Sequence, residues 1–203
     1  MIPIFDFDGT IIDSLEAHAQ FYVDFAREKG IELNAERTRE TLQDPKKVDG
    51  FFQRIGFPVK IVPELLQEYR IRFKDYPQKA FPEMVELLKR IRMQEPRVSM
   101  ATYNNRNNVH AHGREFLHLF DTVITQDDVE RKNHGLTKIV MKYGLRPEEY
   151  VLIGDTSWDY DSAREAGIQF IGVSWGWHRL QPQQEYPVVR TVQELETELT
   201  KLL

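Results

Sequence analysis

Four carboxylates in two short strings carry the densest chemistry of this chain. Asp6-Phe7-Asp8-Gly9-Thr10 follows an apolar run at residues 2–5. Residues two apart on an extended backbone project to one side, so Asp6 and Asp8 approach a common space. Carboxylates held that close repel unless a cation or a shared proton intervenes. Gly154-Asp155-Thr156-Ser157-Trp158-Asp159 follows a second apolar run. There Asp155 and Asp159, four apart, come to one side once a helix begins. Each string alone has a plain structural reading, since Asp and Gly populate turns and acids cap helix N-termini. Together the acids make a hard, oxygen-rich site suited to Mg²⁺. The chain has no cysteine, which excludes disulfides, thiolate catalysis and cysteine-held zinc.

Such a site needs elements that bring distant strings together. The runs at 2–5, 98–101, 122–125, 150–153 and 170–173 are short, apolar and mostly non-alternating, as strands buried on both faces of a parallel sheet are. Between them the spacing predicts helices over 82–93, 136–143 and 160–166, the last two stopped by Gly144 and Gly167. Alternation of this kind specifies a doubly wound, Rossmann-like α/β fold, which binds ligands at the carboxyl ends of its strands. Asp6, Asp155 and Thr102 all stand directly after or close behind such runs.

Residues 14–79 break the alternation. Ser14 is placed to cap a helix with Leu15, Ala19, Tyr22, Val23 and Ala26 on one face and Gly30 as its stop. Further helices are predicted over 35–42, 45–55 and 63–74, with Pro45 and Pro63 in first turns, and no strand is predicted here. The expected organisation is a core of residues 1–13 and 80–203 with a helical insert, 14–79.

The 203 residues are 41% hydrophobic and 29% charged, with a formal net charge of -5. That balance is ordinary for a globular protein and gives no electrostatic reason to expect nucleic acid or an anionic membrane as partner. No apolar run approaches the roughly 20 residues that span a bilayer. No basic segment precedes an apolar one at Met1, so the cytoplasm is the default compartment.

The string Asp6–Thr10, followed by Ile11-Ile12-Asp13-Ser14, closely resembles the opening motif of the haloacid dehalogenase superfamily of phosphatases, most of all its phosphoglycolate phosphatase-like members with a small helical cap. The resemblance runs over essentially the whole chain. It implies a phosphomonoester hydrolase, with Asp6 as nucleophile, Asp8 as acid and base, and a phosphoglycolate-like small metabolite as substrate. By the same resemblance Thr102 bonds a phosphate oxygen, and Lys132 neutralises nucleophile and phosphate, with Arg131 as the alternative. Gly9, Thr10 and Asn104 join them as phosphate- or substrate-binding positions. Mg²⁺ would be held by Asp6, Asp155 and the backbone carbonyl of Asp8, with Asp159 in support.

The chain departs from the family pattern in four places. Glu83 stands where Gly is usual, Tyr103 separates Thr102 from Asn104, Asn133-His134 replaces the usual Pro after Lys132, and the spacing to Asp155 is about two residues short. In the insert, Lys46, Lys47 and Arg54 are candidates for an anionic substrate, or solvated surface cations. The loop Ser174-Trp175-Gly176-Trp177-His178 is expected to border the cleft. Two other functions fit the same motifs: a phosphomutase, and a catalytically weak phosphate-binding protein on this fold. Self-association is not legible.

Overall fold

The computed structural model describes residues 1–44, 50–183 and 185–202. In chain order the elements are β1 (Ile2–Phe5), β2 (Ile12–Asp13), α1 (Leu15–Glu28), α2 (Ala35–Leu42), α3 (Phe51–Ile55), α4 (Val62–Arg72), β3 (Lys79–Ala80), α5 (Met84–Gln94), β4 (Ser99–Ala101), α6 (Arg106–His112), β5 (Thr122–Ile124), α7 (Lys132–Tyr143), β6 (Tyr150–Gly154), α8 (Ser157–Ala166), β7 (Gln169–Val173), β8 (Val188–Val189) and α9 (Val192–Leu202).

Six strands form one sheet in the order β5-β4-β1-β6-β7-β8, with every pairing parallel. The non-alternating runs are explained by burial on both sides. Ile2, Ile4, Tyr150, Leu152 and Phe170 face α7 and α8 through Leu136, Ile139 and Ala163. Phe5, Val151, Ile153, Ile171 and Val173 face α5 and α9 through Leu87, Leu88, Leu195 and Leu199. Each of the buried Val, Leu, Ile and Phe side chains among these contributes about 1.5–3 kcal/mol. The chain first builds outward from β1 to β4 and β5, then crosses back to β6, so the strand order reverses between β1 and β6. Open α/β sheets bind ligands at such a reversal.

Helices α1–α4 gather around a separate aromatic cluster of Phe21, Tyr22, Phe25, Phe57 and Phe73. The chain leaves and re-enters the sheet layer through a two-stranded antiparallel ribbon, Ile12 opposite Ala80 and Asp13 opposite Lys79. Lys79 is therefore a strand residue within the stretch expected to hold none. Two residues are too few for any period to register. Ser14 is also corrected. It sits in helical φ/ψ and makes no side-chain cap, and its buried hydroxyl has no partner among the described residues. The predicted helix over 45–55 is seen from Phe51. Residues 45–49, including Lys46 and Lys47, lie outside the described residues. Among the described residues, no helix is long and apolar enough to cross a membrane.

Candidate active site

The sheet order puts three chemically equipped strand ends side by side. Phe5 pairs with Ile153 on one flank and Met100 on the other. Asp6, Asp155 and Thr102 therefore leave β1, β6 and β4 along one edge. The amide of Asp6 still donates to the carbonyl of Ile153 at 2.9 Å, and that of Thr102 to Ile124 at 2.9 Å, so the ladders hold both residues to their first free atoms.

Lys132, at the start of α7, completes the cluster. Its Nζ lies 2.6 Å from Asp6 Oδ1 and 2.5 Å from Asp159 Oδ1, with all three side chains buried. Burial works against the ammonium, but Asp159 and Asp6 more than offset it and hold Lys132 above its usual range. Arg131, the alternative, lines the same cavity but stands at its exposed rim beside Glu165. Asp159 is also fixed by its own helix turn: its Oδ2 accepts from the Thr156 amide at 3.0 Å and hydroxyl at 2.5 Å.

Asp6, Asp155 and Asp159 each offer a carboxylate oxygen, all within 4.8 Å of one another. Three buried acids against one buried ammonium leave the cluster short of positive charge. Burial pushes Asp6 up to about 7, against the pull of Lys132 and with help from Asp159 and Asp8. Burial, then Asp159 and Asp6, holds Asp155 well above the usual carboxylate range. A hard divalent cation answers both the charge deficit and the all-oxygen donor set.

The backbone is shaped to admit Asp155. Gly9 has φ +72°, and a Cβ there would meet Asp155 Oδ2 at 2.1 Å; one on Gly176 would meet Asp155 Cβ at 2.3 Å. Only glycine permits the first conformation cheaply and either approach at all. The carboxylate is then fixed by the Trp177 amide at 2.5 Å and the Thr10 hydroxyl at 3.3 Å. Gly9 and Thr10, expected at the phosphate, thus pack against Asp155, and neither lines the cavity. Their place follows from the tight turn after Asp8, which folds them back toward β6.

Asp8, Thr102 and Asn104 do line that cavity with Asp6, Lys132 and Asp159. Asp8 Oδ2 accepts from Asn104 Nδ2 at 2.7 Å, while its buried Oδ1 has no partner among the described residues. Thr102 Oγ1 accepts from the Asn104 amide at 3.0 Å. The Tyr103 insertion is accommodated by turning its ring outward, where the hydroxyl donates to the carbonyl of Glu130 at 2.5 Å.

Two residues of this site escaped sequence reasoning. His18 on α1 is buried, with Nδ1 donating to the carbonyl of Ser14 at 2.9 Å and Nε2 3.0 Å from the Tyr69 hydroxyl. Tyr69 on α4 stands 3.3 Å from Asn104 Oδ1. Polar contacts thus link the helical insert to Asp8, with the single Tyr69 proton shared between His18 Nε2 and Asn104 Oδ1 as alternative acceptors. Burial disfavours the charged imidazole, with Asp8 and the Ser14 carbonyl opposing. The available signal was a histidine on the apolar face of α1, one turn before Tyr22. Of the two readings of Arg54, substrate contact or surface cation, the structure fits the second: it forms an ion pair with Asp44 and does not line the cavity.

A family model described as haloacid dehalogenase-like hydrolase matches residues 3–173. A phosphoglycolate phosphatase from Synechococcus elongatus is 28% identical over 179 residues, covering 86% of this chain and 84% of its own. Pyrophosphatase PpaX from Oceanobacillus iheyensis is 27% identical over 186 residues, covering 85% and 82%. A haloacid dehalogenase-like family hydrolase from Streptococcus pneumoniae has the same fold, with a TM-score of 0.82 at 24% identity over 97% of each chain. The motif series, the parallel sheet and these matches agree, and the chain belongs to the haloacid dehalogenase-like hydrolase family.

Proposed function

We propose that this chain is a Mg²⁺-dependent phosphomonoester hydrolase for a small phosphorylated metabolite, working through an acyl phosphate on Asp6. The observation that carries the proposal is the buried ion cluster, in which Lys132 bridges Asp6 and Asp159 while Asp155 stands within reach of the same point. An Asp6 carboxylate oxygen attacks phosphorus in line, the bond to the ester oxygen breaks, and Asp8 gives that oxygen a proton. Asp8 then takes a proton from water, the water oxygen attacks phosphorus, and the bond to Asp6 breaks to release inorganic phosphate. The unpartnered Asp8 Oδ1 suits a group that exchanges protons with a ligand. Thr102 and Lys132 bind the phosphoryl oxygens, and Asn104 orients Asp8. Asp6, Asp155 and the Asp8 carbonyl would hold Mg²⁺, with Asp159 behind them. When bound, the ion supplies charge neutralisation that lets an anionic nucleophile approach an anionic ester.

In this proposal residues 14–79 form the cap over a core of 1–13 and 80–203. His18, Tyr22, Leu42, Phe51 and Tyr69 of the insert line the same cavity as Asp6 and Asp8, which suits a lid that keeps bulk water from the transfer. The test is phosphate release from a generic aryl phosphate with and without Mg²⁺. Release that needs Mg²⁺ and drops at least a thousandfold in Asp6→Asn supports the assignment, on the order of the loss expected for a missing nucleophile. Parental rates in Asp6→Asn would refute it.

A further inference from the structure

Beyond its reacting end the cavity is large and aromatic. Its volume is about 490 Å³, and its walls include Tyr22, Leu42, Phe51, Tyr103, Trp158 and Trp177. Tyr22 and Phe51 come from the helical insert and Trp158 from the first turn of α8, so rings from both the insert and the sheet domain line the space. Pockets lined this way hold flat, apolar groups through stacking and burial.

The charge lining the cavity points the same way. Its described acidic side chains are Asp6, Asp8, Asp159 and Glu165, and its cations are Lys132 and Arg131. Lys132 is held by Asp6 and Asp159, and the Arg131 guanidinium lies 3.4 Å from Glu165. Among the described lining residues, no lysine or arginine is without a carboxylate partner. Among these described residues a second anionic group on the substrate would lose hydration and meet no cation beyond the two that already hold carboxylates.

We infer that the group released by this site is an uncharged alcohol bearing a flat ring, so that the preferred substrate is a phosphate monoester with no second anion. The inference rests on the phosphatase reading above. It sets the chain apart from the compounds in its relatives' names, since phosphoglycolate carries a carboxylate and pyrophosphate a second phosphate.

Three esters separate the contributions: benzyl phosphate against ethyl phosphate isolates the ring, and phosphoglycolate against ethyl phosphate isolates the carboxylate. With the full chain and Mg²⁺, kcat/KM for benzyl phosphate should exceed that for ethyl phosphate by about tenfold to a hundredfold, the gain from burying one ring. Phosphoglycolate should be no better than ethyl phosphate. Phe51→Ala should lower the benzyl-to-ethyl ratio several-fold, and because the readout is a ratio, any loss of folded protein cancels. Equal rates for benzyl and ethyl phosphate, or a preference for phosphoglycolate, would overturn the inference while leaving the phosphatase reading intact. If no ester is turned over, that reading fails. Calorimetry on Asp6→Asn then decides the substrate class, with tighter binding of benzyl phosphate supporting it and tighter binding of phosphoglycolate overturning it.

Discussion

Asp155→Asn is expected to kill the enzyme and stabilise the metal-free protein. Asp155 is fully buried and shares a space 4.8 Å across with Asp6 and Asp159. At an effective dielectric of 20, two unit charges at that separation repel by about 3.5 kcal/mol. Asp155 faces two such neighbours, and Lys132 offsets roughly one of them, leaving about 3 kcal/mol. Partial protonation caps the penalty, because a crowded carboxyl takes up a proton rather than bear the full repulsion. A gain of about 1–3 kcal/mol remains on removing the charge. Asparagine keeps the local bonds, with its oxygen accepting from the Trp177 amide and its amide donating to Thr10, whose hydroxyl now bonds the carboxylate. For a chain of this length each kcal/mol moves Tm by roughly 2–4 °C, so thermal unfolding in EDTA should rise by about 2–12 °C. In the parent, Mg²⁺ at a hundred times its Kd should add about 2.7 kcal/mol, and the variant should lose most of that increment. If Asp155→Asn melts below the parent in EDTA, or responds to Mg²⁺ equally, the electrostatic account of the cluster is wrong.

Other parts of the molecule make independent predictions. Gly176→Ala puts a methyl 2.3 Å from Asp155 Cβ and 2.4 Å from the Gly9 carbonyl; overpacking of this kind costs about 1–3 kcal/mol, and phosphatase activity should fall with Tm. Glu83 is exposed at φ +67°, a conformation costing a side chain about 1–2 kcal/mol. Glu83→Gly should relieve it, with a net gain of about 0.5–1 kcal/mol after chain entropy, read as a Tm rise of a few degrees. His178 is held down to about 4 by burial, so the unfolded chain binds the extra proton between pH 6.5 and 4. Its contribution is whole above pH 6.5 and is lost on acidification through that window, up to about 3 kcal/mol. His178→Gln, which keeps an acceptor for the Ser157 amide now bonded to Nδ1, should flatten the fall in Tm over that range; an unchanged slope would contradict it.

The sheet was legible because its strands are buried on both faces, which leaves unbroken apolar runs such as Tyr150–Gly154. The ribbon of β2 and β3 and the edge strand β8 are two residues each, shorter than any period. Helix α6 escaped because only Val109 and Ala111 are apolar in Arg106–His112. Helix α9 did carry a signal, with Val192, Leu195, Leu199 and Leu202 at helical spacing. At the site, the strings holding Asp6, Asp155 and Lys132 were visible as local motifs. His18, Tyr69 and Asn104 are linked only because the insert folds over the sheet, bringing together residues 51 and 35 positions apart. Such long-range hydrogen bonding leaves no period in the sequence.

The most direct test of the central claim is to trap the acyl phosphate on Asp6. The enzyme is quenched in acid during turnover and reduced with borohydride, which converts an aspartyl phosphate to homoserine, and its peptides are read by mass spectrometry. Homoserine at position 6, dependent on substrate and absent from Asp6→Asn, is the predicted result. Homoserine at another aspartate, or Asp6 unchanged in every quenched sample while phosphate is released, would contradict it.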